Sequence, residues 1–539
     1  MKHTRRIASL LLALVMVFTL ATTAFAATVT VPSDGILKNH TFTAYQIFSG
    51  REENSILSDV QWGDGINSDA FLAALKDDTT YGSLFADCAD AAAVAEVLGA
   101  NNTNTALANA VAKLAYTYKT GDGTGLTSGD NTLADGYYLV VDTTANVGEG
   151  GAYNTALLQV VGDISITVKT DAPTVEKKVL EDDKYNHDDG YGTGYNDVAD
   201  YNIGDAVPFH LIGSVPNMSQ YDTYKYIFHD TLSTGLTLNG SSIKVYVASD
   251  KAGTDKAEIT GWTKEVADQS FTVSFTDLKN VSGVSQGKYI IVEYTATLNQ
   301  SAAVGSTGNS NTVYLVYSNK PDASGSGDTN NTGKTPEDKV IVFTYELDTT
   351  KVDGEDNAKK LANAKFVLLN SNGTKVAKIT NGKFDGWQDL PTAGNDGKIS
   401  ADAWSADTVL TSAETTGLFS VAGLDDGTYM LREIVAPSGY NLLSADIIVV
   451  ITATTTNGQT WTDGLASSAL TNLEVTADGT AGTGVPNTGI ASITVANNKG
   501  STLPETGGIG TTIFYVLGSV LVLAAVVLLV TKKRMSANG

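Results

Sequence analysis

The 539-residue sequence carries 59 acidic against 35 basic side chains, for a net charge of −24. That balance excludes nucleic acid and anionic lipid as partners. The one cysteine, Cys88, excludes an intrachain disulfide framework, so stability outside the cell needs another source.

Taken in chain order, the first element is a secretory signal over residues 1–26. Lys2, Arg5 and Arg6 form a basic start, Ile7 to Leu20 is apolar, and Ala24-Phe25-Ala26 is a small-x-small cleavage site. A first domain is expected over 27–170. It combines helix-like, Ala-rich stretches at Asp69–Lys76, Ala89–Leu98 and Asn104–Tyr118 with strands, and a lone Cys88 is expected to be buried there. Its strand Asp135–Asp142 parallels Asp426–Glu433 much later in the chain, a weak internal repeat. Asp142 is thus a candidate acid, but the last strand, Leu157 to Val168, has no asparagine, so no cross-link is expected there.

A second domain is expected over 171–336, after the turn at Thr170–Pro173. In Pro173 to Val179 the period of two turns Val175, Lys177 and Val179 to one face and Lys178 to the other. Tyr226, Phe228 and Asp230 share a face, as do Asn311, Val313 and Leu315, with Asn309 a rival of the same parity. The run Glu181 to Asp200 is acidic but matches no EF-hand loop and is expected to be a solvated insertion. Asn319 to Asp338 has the composition of a linker.

A third domain is expected over 337–500. Leu347, Thr349 and Lys351 share a face, Tyr429, Leu431 and Glu433 another, and Ile493, Val495 and Asn497 a third. A carboxylate turned into a sandwich core is costly without a partner. Many short alternating strands between Gly, Asn and Asp turns predict a mainly β chain of tandem immunoglobulin-like sandwiches.

The chain closes with Leu503-Pro504-Glu505-Thr506-Gly507, an uncharged span from Ile509 to Val530, and Lys532, Lys533 and Arg534. Residues 501–539 resemble the LPXTG cell-wall sorting signal of sortase substrates, pentapeptide, transmembrane helix and basic tail in order. The resemblance implies that a sortase thiolate attacks the Thr506 carbonyl and forms an acyl-enzyme. A near match, Val485-Pro486-Asn487-Thr488-Gly489, has no span behind it and reads as a loop. Loss of the leader and of the residues after Thr506 removes six basic side chains, leaving 29 against 59 acidic and a net charge of −30.

The stretch Gly423 to Leu443, GLDDGTYMLREIVAPSGYNLL, with the early Lys351 and the final Asn497, resembles a collagen-adhesin B-type domain. Such domains form an intramolecular bond between the lysine and the asparagine, assisted by the glutamate. That implies Lys351 and Asn497 as cross-link partners and Glu433 as the assisting acid. Burial lowers the amine's pKa and raises the acid's, which suits attack on the amide carbonyl with ammonia leaving. The second domain is similar to collagen-adhesin A-type domains and to the second domain of backbone pilins, with aspartate as the acid. That implies Lys177, Asp230 and Asn311.

The whole chain resembles a sortase-assembled Gram-positive backbone pilin, the cell-wall-anchored shaft subunit of a pilus that supports adhesion. In that family a lysine of a YPK-type motif between the first and second domains receives the Thr506 acyl group. That motif is absent here. The nearest match, Val168-Lys169-Thr170, makes Lys169 the expected intersubunit lysine, with Lys178 as the alternative. The departure keeps a monomeric LPXTG-anchored adhesin and an ancillary pilin as alternatives. The implied partners are pilus-specific and housekeeping sortases, identical subunits and peptidoglycan, with ancillary pilins and host surface ligands beyond them. No cofactor is expected, the five histidines show no metal-binding spacing, and bond formation is single-turnover self-modification rather than enzyme activity.

Overall fold

The computed structural model describes residues 26–34, 37–166, 171–182, 184, 186–321, 331–456, 466–500 and 509–535. The expected leader, its last residue apart, lies outside them. Strands dominate over helices, and the strands form several separate sheets, as the alternating pattern requires.

The first domain places a five-stranded sheet between helices and a small second sheet. Helices Ser68–Asp77, Ala91–Ala100 and Thr105–Tyr118 occupy the Ala-rich segments. Each begins at a side-chain cap: Asn67, Asp90 and Asn104 accept from the backbone N–H groups of Ala70, Ala93 and Leu107. Their inward residues Phe71, Leu75, Val94, Leu107 and Val111 cover one sheet face through Leu139 and Val141, and Cys88 is buried among them. Tyr138 and Val140, one residue out of phase, pack on the other side against Val29, Val31 and Leu133 of the three-stranded sheet.

The second domain is a sandwich of two seven-stranded sheets. One contains Val175–Leu180, Ala206–Ser214 and Tyr289–Leu298 in adjacent positions. The other contains Asp338–Phe343, Asn309–Ser318, Tyr226–Leu232 and Ser270–Phe275. Both inner faces are filled by alternate residues, Phe209, Leu211, Val292, Phe228, Val273, Val313 and Leu315 among them.

The third domain begins at Tyr345. Its first strand, Tyr345–Asp353, lies between Leu418–Leu424 on one side and the last strand, Ile490–Asn497, on the other. The last strand runs parallel to the first over eight paired positions, from Glu346 opposite Ile490 to Asp353 opposite Asn497. Gly427–Val435 sits between Lys365–Asn370 and Ile447–Thr455 and carries Glu433 across the core.

The expected seam at 336/337 needs correction. Asp338–Phe343 is a strand of the second sandwich, antiparallel to Asn309–Ser318 and parallel to Val198–Asp200. Val340 and Val342 enter the second core while Ile341 and Phe343 enter the third. Within the polar stretch before it, Thr332–Lys334 is a strand paired with Asn309–Ser318, and the crossing to the third domain falls at Thr344.

The acidic segment 181–200 is solvated at Asp182, Lys184 and residues 186–190, as expected, but not at Glu181 or in its later strands. Glu181, Asn196, Asp197 and Asp200 are buried, because Tyr195–Asn196 and Val198–Asp200 each add a strand to a sheet. Lys184 pairs with Asp200 of this segment at 2.7 Å and with Asp426 of the third domain, and Tyr345 donates to Asp200 at 2.9 Å. The carboxylates of Asp200, Asp425 and Asp426 lie within 4.8 Å of one another, and the Lys184 ammonium supplies their positive charge.

Candidate cross-linking and anchoring sites

In the second domain, strand parity turns Lys177, Asp230 and Asn311 into one core, from three strands of two facing sheets. All three are at most 1% exposed. The Lys177 ammonium touches Asp230 and donates to Asn311 Oδ1 at 2.6 Å. Burial drives the Lys177 pKa down to about 8 against the pull of Asp230, and burial likewise raises that of Asp230. An amine held neutral more readily and kept beside the side-chain amide can turn its lone pair on the amide carbon once it has lost a proton.

Tyr294 completes this site and was not singled out from the sequence. Its hydroxyl lies 2.9 Å from Lys177 Nζ, 3.1 Å from both Asp230 oxygens and 2.8 Å from Asn311 Nδ2. The signal that could have found it is parity: in Tyr289–Leu298 the buried positions Ile290, Val292, Tyr294, Ala296 and Leu298 alternate. Asn309, the rival acceptor, is occupied otherwise. Its side chain accepts from Ala303 N–H at 2.9 Å and donates to the carbonyls of Ala303 and Val342 at 3.1 Å, so it braces the strand entrance.

In the third domain, Asn497 Nδ2 donates to both Glu433 oxygens at 2.9 Å and to the Asn441 carbonyl at 2.8 Å, while its Oδ1 is buried without a hydrogen-bond partner. Lys351 is fully buried on the neighbouring parallel strand, opposite Val495, and donates to the Val495 carbonyl at 2.9 Å. Among the described residues no hydrogen bond joins Lys351 to Glu433 or Asn497, so the amine sits beside the pair rather than in it. Burial lowers the Lys351 pKa to about 8 and raises that of Glu433. A protonated Glu433 can donate to the unpartnered Asn497 oxygen after a half-turn of the amide, which would polarise the carbonyl for Lys351.

Asp142 of the first domain has a different neighbourhood. It is paired with His40 Nδ1 at 2.7 Å and accepts from the Asn154 backbone and from Thr144, with no lysine among its described partners.

Lys178 is not the exposed residue that parity implied. Only 7% of it is exposed, its ammonium is 2.5 Å from Asp197 Oδ1 and 4.4 Å from the centre of the Tyr191 ring. The segment that follows folds back over the outer face of its strand and buries it. A buried, paired ammonium cannot reach an acyl-enzyme, so the alternative linking lysine is withdrawn. Lys169 and the pentapeptide Leu503, Pro504, Glu505, Thr506 and Gly507 lie outside the described residues. The helix Ile509–Met535 follows, with an apolar span from Ile513 to Lys533. The near match Val485–Gly489 is a turn packed on the second domain. Ser306 N–H donates to Pro486 O at 3.1 Å, and a Cβ on Gly305 would lie 2.4 Å from the backbone of Gly489.

Comparison with known proteins follows this geometry. Residues 345–464 match a prealbumin-like fold domain. Residues 203–321 match the Gram-positive pilin backbone subunit 2, Cna-B-like domain, and 496–536 the LPXTG cell wall anchor motif. The chain thus carries a domain of the Gram-positive pilin backbone type, a prealbumin-like domain and a cell wall anchor motif. The anchor motif and the apolar helix mark a cell-wall-anchored surface protein whose precursor spans the membrane. The second domain, likened above to A-type domains, thus matches a model described as Cna-B-like.

The trypsin-resistant surface T6 protein of Streptococcus pyogenes serotype M6 is 26% identical over 381 residues, covering 62% of this chain and 65% of that protein. The chain thus spans about two thirds of the length of that curated relative. The solved T6 backbone pilin, described as a modular three-domain structure decorated with variable loops and extensions, shares 17% identity with a TM-score of 0.50. The match covers 88% of this chain and 99% of that one. The full-length major pilin SpaD of Corynebacterium diphtheriae gives 15% identity and a TM-score of 0.44 over 88% and 97% of the two chains.

Proposed function

We propose that this chain is the repeating shaft subunit of a sortase-polymerised, wall-anchored pilus that supports adhesion. The observation that carries the reading is the presence in one chain of a pilin-backbone domain at 203–321 and a wall-anchor motif at 496–536. A sortase cleaves after Thr506 and transfers the acyl group to an amine of the next copy. A housekeeping sortase finally transfers the polymer to peptidoglycan. One donor carbonyl and one acceptor amine per subunit make a heterologous contact that does not close, hence a filament.

Two domains are sealed by their own chemistry. Lys177 is joined to Asn311 with Asp230 assisting, and Lys351 to Asn497 with Glu433 assisting. Each event consumes its reactants once, so the chain is a substrate rather than an enzyme. The support is the buried lysine–acid–asparagine set in each core, and in the second domain the Lys177–Asp230 ion pair, which left unreacted is an expensive core component.

The test is a denaturing gel of wall extracts from the native host. A ladder of covalent multimers is expected, and a single band would favour a monomeric wall-anchored adhesin. Lys169→Ala is expected to abolish the ladder and Lys178→Ala to leave it intact, because Lys178 is buried against Asp197.

A further inference from the structure

The two proposed cross-linking sites differ in how the acid reaches the amide. Glu433 accepts directly from Asn497 Nδ2. In the second domain the shorter Asp230 makes no hydrogen bond to Asn311, and its side-chain partners are Lys177 and Tyr294. The Tyr294 hydroxyl bridges the gap, touching Asp230 on one side and the departing nitrogen, Asn311 Nδ2, on the other. Tyr294 is 2% exposed and burial holds its pKa far above the usual phenol value, so it stays protonated and acts by passing a proton on rather than by ionising.

We propose that Tyr294 is a catalytic residue of the second-domain cross-link, relaying a proton from Asp230 to the leaving nitrogen of Asn311. The inference rests on the self-sealing reading above. The step balances as follows. The Lys177 ammonium gives a proton to Asp230, and the neutral amine attacks the Asn311 side-chain carbon. The tetrahedral adduct loses a second proton from Nζ, which Asp230 takes up once it has passed its first one on. Nδ2 receives one proton through the Tyr294 hydroxyl, which takes a hydrogen from Asp230 as it gives its own. The carbon–Nδ2 bond breaks, ammonia leaves, and Asp230 ends protonated beside the new amide. No oxidant, metal or further reactant is required.

Tyr294 also explains why an aspartate suffices in one domain where the other uses a glutamate. The missing methylene is replaced by a phenol from the facing sheet. Lys177 and Tyr294 come from the same sheet, two strands apart, while Asp230 and Asn311 come from the other, so all four groups meet only once both sheets have packed. The relay therefore forms with the core itself.

The experiment follows full-length chain made by cell-free translation, with intact mass and peptide mapping over time. In the wild type both ammonia losses are expected. In Tyr294→Phe the second-domain loss is expected to slow by about 100-fold, the scale of one lost acid–base group, while the third-domain loss proceeds at the wild-type rate and reports that translation and folding are intact. Asp230→Glu added to Tyr294→Phe is expected to restore much of the rate, because the longer carboxylate reaches the amide directly; a merely structural tyrosine would not be rescued this way. Equal rates in wild type and Tyr294→Phe would overturn the relay. So would a slow Tyr294→Phe that Asp230→Glu fails to rescue. No second-domain loss in the wild type would instead overturn the self-sealing reading on which the relay rests.

Discussion

At the scale of single residues, the chemistry rests on amines placed where water cannot reach them. Intact mass of the 27–500 fragment is expected to fall short of the sequence mass by two ammonia molecules. Asp230→Ala and Glu433→Ala are each expected to restore one, at the peptide carrying Asn311 or Asn497. A second consequence concerns pH. In Asn311→Ala the bond cannot form, yet Lys177 stays buried with a pKa near 8, below its unfolded value of about 10.5. Between those values the unfolded chain binds more protons, so stability rises with pH across that window by at most about 1.4 kcal/mol per unit, and the full cost persists below pH 8. Thermal melts of Asn311→Ala from pH 7 to 10.5 check this against Lys177→Met/Asn311→Ala, which lacks the amine and should show a shallower rise. The sequence made Lys177 and Asp230 legible because a charged residue at an inward position of an alternating strand is conspicuous. Tyr294 was not, since an inward tyrosine looks like ordinary core, and Lys178 misled because parity reports only which side of its own strand a residue faces, not what later folds over that side.

At the scale of elements, the alternating strands and the Ala-rich helices of the first domain were readable because hydrophobic period and caps agree locally. The strand Asp338–Phe343 was not, because a short apolar run after a polar stretch reads equally well as the start of the next domain. Its partners, Val198–Asp200 and Asn309–Ser318, are distant in sequence. Phe343, fully buried, fills the third core from a strand of the second domain. Phe343→Ala is expected to destabilise the third domain by about 3–5 kcal/mol. Guanidinium unfolding of 171–500, with Trp387 and Trp404 reporting the third domain, checks this; an unchanged third-domain midpoint would mean that Phe343 is not part of its core. The first and last strands of that domain are the ones the proposed bond joins. By analogy with a long-loop disulfide it is worth on the order of 4–5 kcal/mol. Lys351→Ala is therefore expected to lower the melting temperature and admit proteases, while reductant leaves the wild type unchanged.

At the scale of the whole molecule, the C-terminal anchor was the most legible part, because a sorting signal is read from a short local pattern. The relation between the second and third domains was the least legible. It is built from single residues such as Ile203, whose N–H donates to Gly423 O at 2.9 Å, and Asn202, which accepts from Asp425 N–H at 3.0 Å. The Lys184 pairing with Asp200 and Asp426 adds a charged clasp across the same junction. Lys184→Ala leaves those buried carboxylates without their cation. It is expected to loosen the junction, with faster amide hydrogen exchange at Ile203 and Asp425 and little change in the second-domain core.

The parallel pairing of the third domain's first and last strands has a mechanical consequence. A pull along the shaft enters this domain near Thr344 and leaves past Asn497. Because the two strands run in the same direction, the pull slides one along the other, and the ladder from Glu346–Ile490 to Asp353–Asn497 is loaded in shear rather than opened pair by pair. With the proposed Lys351–Asn497 bond in place, force runs up the first strand to Lys351, crosses a covalent link and leaves through Asn497. Residues 352–496 then lie off the path altogether. The domain becomes a short inextensible segment whose remaining fold is free to vary in its loops without weakening the fibre.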